Sequence, residues 1–214
     1  MALALFDLDG TLIRANSGHS WVWREYLSGR ISAAQLLEAV WWFGRYALGS
    51  ADLEAAFLKI GQSVAGEREA AVRERTRLWF DEVVRGQLRE GARQAIARHR
   101  QAGDTLVIAT SSTVFVAEFA AASWGFDAAL GTGFEAVDGT LTGRLSDPAF
   151  GRHKRDQVTR WAAAGQHRLE DASFYSDSAS DLPLLEAVGH PVVVDPDRVL
   201  LRVARERGWK IVEW

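Results

Sequence analysis

An α/β fold built on a parallel sheet, with an all-helical segment inserted after the first strand, is what this sequence predicts. Three observations carry that expectation. The chain opens on a short apolar run, Ala2 to Phe6, that ends in Asp7, Asp9 and Gly10. From Asn16 to about Leu88, apolar residues recur at helical spacing and there is no proline. From Gly91 onward, short apolar runs alternate with helical stretches, the pattern of a parallel sheet covered on both faces.

The elements follow in order. Ala2 to Phe6 reads as a buried strand leading into a tight, glycine-assisted loop. In the helical segment Ile31, Leu36, Leu37, Val40 and Trp41, then Leu53, Phe57, Leu58 and Ile60, keep the helical period. Gly29, Gly44, Gly49, Gly61 and Gly66 break it into about four helices. Ala92 to Gln101 reads as a helix ending at Gly103. Thr105 to Ala109 is a buried strand, and Thr113 to Trp124 a helix closed by Gly125. Ala128 to Gly131 is a short strand. Phe134 to Val137 and Thr140 to Leu145 flank Asp138-Gly139, a strong hairpin turn signal. A helix around Lys154 to Ala164, a strand Ala172 to Tyr175 and a helix Leu182 to Ala187 come next. The chain ends with a strand Val192 to Val194, a helix Asp197 to Arg207 and a strand Trp209 to Val212. Residues 1–15 and 89–214 are thus expected to form the core domain, and residues 16–88 a helical domain.

Composition narrows the function. The 214 residues are 48% apolar and 25% charged, the balance of a folded globular chain. A net charge of −3 gives no basic excess for nucleic acid or an anionic membrane. With no cysteine, any metal must sit on oxygen or imidazole ligands, and a cytoplasmic location is expected. No stretch reads as a signal peptide or a bilayer span. Composition does not set an oligomeric state. Of 25 basic residues only Lys59, Lys154 and Lys210 are lysines, so a lysine inside a motif stands out as a compact point charge.

Four polar groups fall at or beyond the carboxyl ends of strands, where parallel α/β sheets bind their ligands. Asp7-Leu8-Asp9-Gly10-Thr11 places two carboxylates two residues apart at a strand end, suited to a nucleophile and an acid/base. Gly10 allows the loop to turn its N–H groups toward an anion. Thr110-Ser111-Ser112 offers hydroxyls and N–H groups at an expected helix N-terminus, a phosphate-binding arrangement. Lys154 stands near a helix start, where a cation is not favoured, so it needs an anionic partner or an exposed position. Asp177, with Asp181 four residues on, adds a third carboxylate to Asp7 and Asp9. Three carboxylates suffice for a hard cation such as magnesium.

This set of motifs, in this order and at this spacing, resembles the haloacid dehalogenase-like phosphohydrolase superfamily over essentially the whole chain. Its nearest branch is similar to phosphoserine phosphatases. The resemblance implies a Rossmann-like core with a small helical cap at 16–88, and Mg2+-dependent hydrolysis of a small phosphorylated metabolite. It further implies that Asp7 forms an aspartyl-phosphate and that Asp9 protonates the leaving alcohol and then activates water. Asp7, Asp9 (through its backbone carbonyl) and Asp177 would hold the metal. Leu8, Thr110, the Ser111 N–H and Lys154 would hold the phosphoryl oxygens, with Asp181 in support. Phosphoryl transfer asks mainly for in-line positioning and neutralised charge, which this set supplies. A phosphotransferase or mutase would use the same residues. A non-catalytic phospho-ligand module on the same fold would not need Asp7, Asp9, Lys154 and Asp177 intact.

The sequence departs from phosphoserine phosphatases just after the first motif. Where they carry a glutamate for the substrate ammonium, Asn16-Ser17-Gly18-His19 stands here, with no carboxylate before Glu25. Asn16, Ser17 and His19 are therefore the candidate specificity residues, and phosphoserine is expected to be a poor substrate. The helical segment is rich in aromatics, among them Trp21, Trp23, Trp41, Phe43, Tyr46, Phe57, Trp79 and Phe80. They are expected to be mainly core packing, with a ring-lined pocket for an apolar or cationic leaving group as the alternative. Arg73, Arg75 and Arg77, set among glutamates, read as a solvated helical face.

Overall fold

The computed structural model describes residues 2–47 and 53–214. Gly49, read above as a helix break, lies outside the described residues, as do the side chains of Phe43, Tyr46 and Leu53. Among the described residues no helix is long and apolar enough to cross a membrane.

Among the described residues seven strands form one sheet: β1 (Leu3–Phe6), β2 (Thr105–Thr113), β3 (Ala128–Val137), β4 (Thr140–Asp147), β5 (Ser173–Ser176), β6 (His190–Val194) and β7 (Lys210–Val212). They lie in the order β4-β3-β2-β1-β5-β6-β7, so β1 is central. All neighbours run parallel except the antiparallel β3–β4 hairpin. Asp138 and Gly139 turn that hairpin, both at positive φ (50° and 72°), as a primed two-residue turn requires. Between β1 and β2 lie α1 (Ser17–Leu27), α2 (Ala33–Ala47), α3 (Leu53–Ser63), α4 (Glu69–Trp79) and α5 (Glu90–Gln101). The remaining helices are α6 (Val114–Trp124), α7 (Gly151–Ala164), α8 (Leu182–Leu185) and α9 (Arg198–Arg207).

Both faces of the sheet are covered, which is why its strands are continuously apolar. Ala4, Phe6, Leu106 and Ile108 face one layer with Ala92, Ala95 and Ile96 of α5 and Val116, Ala117 and Ala120 of α6. Leu3, Leu5, Val107 and Ala109 face the other, with Val158 of α7, Leu184 of α8 and Leu200 of α9. This is the α/β core that the alternation of strands and helices predicts.

Three local expectations need correction. Thr110 to Thr113 continue β2 and do not begin a helix; α6 starts at Val114. The reason is tertiary, because β3 runs on as one strand and pairs with this stretch at Thr113–Thr132 beyond a register shift. Thr132 Oγ1 also donates to the Ser111 carbonyl at 2.9 Å. Second, Arg75 is not solvated. It lies only 12% exposed between Glu67 (2.8 Å) and Glu25 (3.4 Å), with its guanidinium over the Trp21 ring. Third, the aromatics divide. Trp79 and Phe80 are fully buried in the same cluster as Phe6, and Trp21 packs edge-on against Trp79. Phe57 stacks on Phe150, whereas Trp23 and Trp41 are exposed. After Trp79 the helix widens into a π-turn, Phe80–Val84, whose Phe80 and Val84 are buried in that cluster.

Candidate active site

β1 ends at Phe6, so Asp7 is the first residue beyond the centre of the sheet. Its N–H donates to the Tyr175 carbonyl of β5 at 2.9 Å, which carries the pairing one residue further. The side chain is buried, and the Lys154 ammonium donates to Asp7 Oδ1 at 3.1 Å. Lys154 comes from the first turn of α7 and is itself 1% exposed. Its second partner is Asp181 Oδ1 at 2.7 Å. The anionic partner demanded by a cation at a helix N-terminus is thus a pair of buried aspartates from two other loops. Burial opposes the Lys154 charge, but Asp181 and Asp7 outweigh it and raise its pKa. Burial drives the Asp7 pKa well above the usual carboxylate range, with Lys154 opposing.

Asp9 points elsewhere. Its Oδ1 accepts the Ser17 N–H at 2.6 Å, and its Oδ2 accepts the Ser17 and Ser112 hydroxyls, each at 2.8 Å. Burial raises the Asp9 pKa, and these three donors hold it back. Ser17 is buried at the start of α1, so the helical segment reaches back to the Asp7–Thr11 loop at this residue. Asn16 and His19 have a different relation. Asn16 caps α1 by accepting the His19 N–H at 3.0 Å, the usual work of an Asn before a helix. The His19 side chain is exposed; its pKa is lowered by partial burial, with Asp9 acting in the opposite sense.

Asp177 follows β5, next to β1, and accepts the Thr11 hydroxyl at 3.1 Å. Burial and then Asp181 push its pKa up to about 7, against the Thr11 hydrogen bond. Gly10 turns at φ 77° directly against it, and a Cβ at Gly10 would collide with the Asp177 carboxylate. Only glycine fits there. Asp181 is 1% exposed and accepts the Ser176 hydroxyl at 2.7 Å, so its second oxygen is aimed at Lys154.

Thr110 is buried at 1% exposure, and its Oγ1 accepts the Ser112 N–H at 3.1 Å. Leu8 is buried within the loop, its carbonyl taken by the Ile13 N–H at 3.0 Å. The phosphate-site candidates Leu8, Thr110 and Ser111 therefore lie on the ends of adjacent strands β1 and β2. Ser111 occupies a strand end and not a helix N-terminus, so the helix dipole argued from sequence does not apply to it.

Four carboxylates and one ammonium make this a net-negative, desolvated cluster, an arrangement that calls for a further cation. Asp7 Oδ1 accepts from Lys154, and Asp177 Oδ1 accepts from the Thr11 hydroxyl. Among the described residues no three His, Cys, Asp or Glu side chains converge on a common point. The Asp9 carboxylate is committed to Ser17 and Ser112. Beside Asp177 opens a cleft of about 340 Å³ lined by Gly10, Arg14, Arg89, Asp177 and Asp195.

Sequence reading missed several parts of this site. Thr11, Ser112 and Ser176 hold Asp177, Asp9 and Asp181, but a hydroxyl at a strand end or in a loop carries no signal of which carboxylate it will meet. Arg89 and Asp195 lie far apart in sequence and were not singled out. Glu25, the first carboxylate after the motif, is buried against Arg75 and Arg30, so it is held within the helical segment.

A family model described as haloacid dehalogenase-like hydrolase matches residues 4–186. A histidinol-phosphatase of Neisseria meningitidis is 32% identical over 99% of this chain and 98% of its own length. A phosphoserine phosphatase of Mycobacterium tuberculosis is 31% identical over 98% of this chain and 70% of its own. Among solved structures, a protein of unknown function from Bordetella pertussis matches with a TM-score of 0.88 at 31% identity, over 99% of this chain and 97% of that one. A substrate-bound phosphoserine phosphatase matches with a TM-score of 0.71 at 18% identity, over 99% of this chain and 92% of that one, a likeness of fold.

Proposed function

The chain belongs to the haloacid dehalogenase-like hydrolase family and is a phosphatase, and from that premise we propose that it hydrolyses small phosphomonoesters with magnesium through an aspartyl-phosphate on Asp7. The observation that carries this reading is the buried cluster of Asp7, Lys154 and Asp181, with Asp9 and Asp177 on the neighbouring turns. The surplus of buried carboxylate fits a divalent cation held by Asp7, Asp177 and the Asp9 backbone carbonyl. When bound, magnesium supplies a Lewis acid that draws charge from the phosphoryl oxygens.

Lys154 fixes Asp7 Oδ1, leaving the other oxygen to attack phosphorus as the ester P–O bond breaks. The Asp9 proton goes to the departing alcohol oxygen. Leu8, Thr110, Ser111 and Lys154 hold the phosphoryl oxygens. Water then attacks phosphorus, Asp9 takes its proton, and Asp7 is regenerated as phosphate leaves. Residues 16–88 act as a cap over the core of residues 1–15 and 89–214, excluding bulk water. The hydrogen bonds from Ser17 to Asp9 support that role. A cytoplasmic location fits the cysteine-free sequence.

Ser17 is then an orienting group for the acid/base. Ser17→Ala keeps the backbone N–H but removes one hydroxyl donor from Asp9. We expect kcat to fall about 10-fold, with KM and Tm nearly unchanged, since one such hydrogen bond is worth about 1–1.5 kcal/mol. Unchanged kcat would detach Ser17 from Asp9 function.

The relatives carry two different substrate names, so the substrate is read from the site itself. With Asn16 as a helix cap and Glu25 paired to Arg75, neither offers a charge for the phosphoserine ammonium. We expect kcat/KM for L-phosphoserine to trail the best of histidinol phosphate, phosphocholine and an aryl phosphate by about 10- to 150-fold, the worth of one charge-assisted contact. The same panel, run with magnesium and with an added acceptor alcohol, tests the function itself. No phosphate release from any ester would overturn the hydrolase reading, and a phosphorylated acceptor as main product would make the protein a transferase. Phosphoserine leading by tenfold would overturn only the specificity argument.

A further inference from the structure

Arg89 stands where the helical segment rejoins the sheet, one residue before α5. Its side chain is only 8% exposed, and its hydrogen bonds join the loop after β1 to Asp195 and Trp214. The backbone N–H donates to the Leu12 carbonyl at 3.0 Å, and Nη1 donates to the Gly10 carbonyl at 2.8 Å. Nη2 forms an ion pair with Asp195 and donates to the Trp214 carbonyl. Asp195 follows β6 with φ at 39°, a conformation that a non-glycine residue adopts only where its surroundings hold it. Two residues later, the Asp197 N–H donates to the Asp177 carbonyl at 2.9 Å, and the Asp197 carboxylate accepts the Ala179 N–H at 2.6 Å. On the opposite side, the Thr11 hydroxyl donates to Asp177. These contacts close a ring that runs from Arg89 through Gly10, Thr11, Asp177 and Asp197 to Asp195, and back to Arg89.

We propose that Arg89, held by Asp195, is a positioning residue that sets the spacing between the Asp7–Thr11 loop and Asp177, and through it the affinity for the divalent cation. The inference rests on the metal-assisted reading above. The ring spans three loops that share no sequence neighbourhood, and one guanidinium joins two of them. A planar fork can hold the Gly10 carbonyl and the Asp195 carboxylate at a fixed angle. An ammonium is a point charge and can favour only one. A positional error of a few tenths of an ångström between two oxygen ligands matters more for magnesium than for calcium, because magnesium demands near-octahedral geometry. Arg89 touches neither the expected phosphoryl group nor Asp7, so it acts through the loop.

The test is magnesium binding to the full chain without substrate, measured by isothermal titration calorimetry for wild type, Arg89→Met, Arg89→Lys and Asp195→Asn. Arg89→Met should weaken Mg2+ binding by about 10- to 100-fold, the range found when an outer partner of metal ligands is lost. Arg89→Lys should fall between it and wild type, and Asp195→Asn should move the same way by less. Calcium affinity should change less than magnesium affinity, a difference that general loosening of the fold does not produce. A folded Arg89→Met protein with Mg2+ affinity within about twofold of wild type would overturn the proposal. If Arg89→Met does not fold, Arg89→Lys and Asp195→Asn decide by the same criterion. A wild-type protein that binds no Mg2+ overturns the metal reading itself, a different result from a variant that binds normally.

Discussion

Asp7→Asn is expected to remove essentially all turnover, by about 10⁴-fold or more, and to leave the protein folded. An amide nitrogen or oxygen cannot serve as the nucleophile that takes and returns a phosphoryl group. The fold should tolerate the change because the charged form of Asp7 is costly where it sits. Burial raises its pKa, with Lys154 opposing. Lys154 keeps its 2.7 Å partner Asp181, and the buried ammonium is not left unpaired. The measurement is single-turnover phosphate release, with thermal unfolding on the same preparation and mass analysis to exclude reversion by deamidation. Activity retained in a folded, intact amide variant would refute the covalent route.

Removing the metal is expected to abolish activity and to lower stability, and the second effect has a pH signature. EDTA should stop turnover, magnesium should restore it, and calcium should not, since its looser coordination misplaces the reacting groups. Asp177 has its pKa raised to about 7 in the fold. A carboxyl with a raised folded pKa contributes most stability while protonated, and that contribution is lost as pH rises through the folded value. Metal-free protein should therefore lose Tm as pH rises from about 4 to 7 and level off above that, and Mg2+ should return it. Asp177→Asn removes the titrating charge and can still accept the Thr11 hydroxyl. It should raise the metal-free Tm at pH 8 by a few degrees, on the order of 2 kcal/mol, while removing the Mg2+ response. A variant less stable than metal-free wild type at pH 8 would contradict the picture of Asp177 as an uncompensated buried charge.

Much of this site was legible because its signals are local. Asp7, Asp9 and Gly10 follow an apolar strand within a few residues, and Asp177 and Asp181 follow another. The turn at Asp138-Gly139 needs only the backbone freedom of two adjacent residues. Lys154 was recognisable as an oddity, since a cation at a helix start needs an anion, although nothing local says which. The specificity candidates fared differently. Ser17 proves to serve Asp9, Asn16 caps a helix, and the His19 side chain is exposed, all consequences of how α1 packs.

The sequence by itself determined the order of strands and helices, the two-faced burial of the sheet and the strand-end positions of the acidic residues. These follow from periodicity and turn chemistry, which act over three or four residues. Only the tertiary structure decided that Thr110 to Thr113 stay in a strand, because β3 supplies the hydrogen-bond partners. Only it decided that Trp23 and Trp41 are left exposed and that Arg75 is buried. It also brought Gly10, Arg89 and Asp195 together, although Arg89 and Asp195 are 106 positions apart in the chain. Hydrogen bonds and ion pairs are short-ranged in space but indifferent to sequence distance. Which hydroxyl or guanidinium meets which carboxylate is therefore settled when the layers pack.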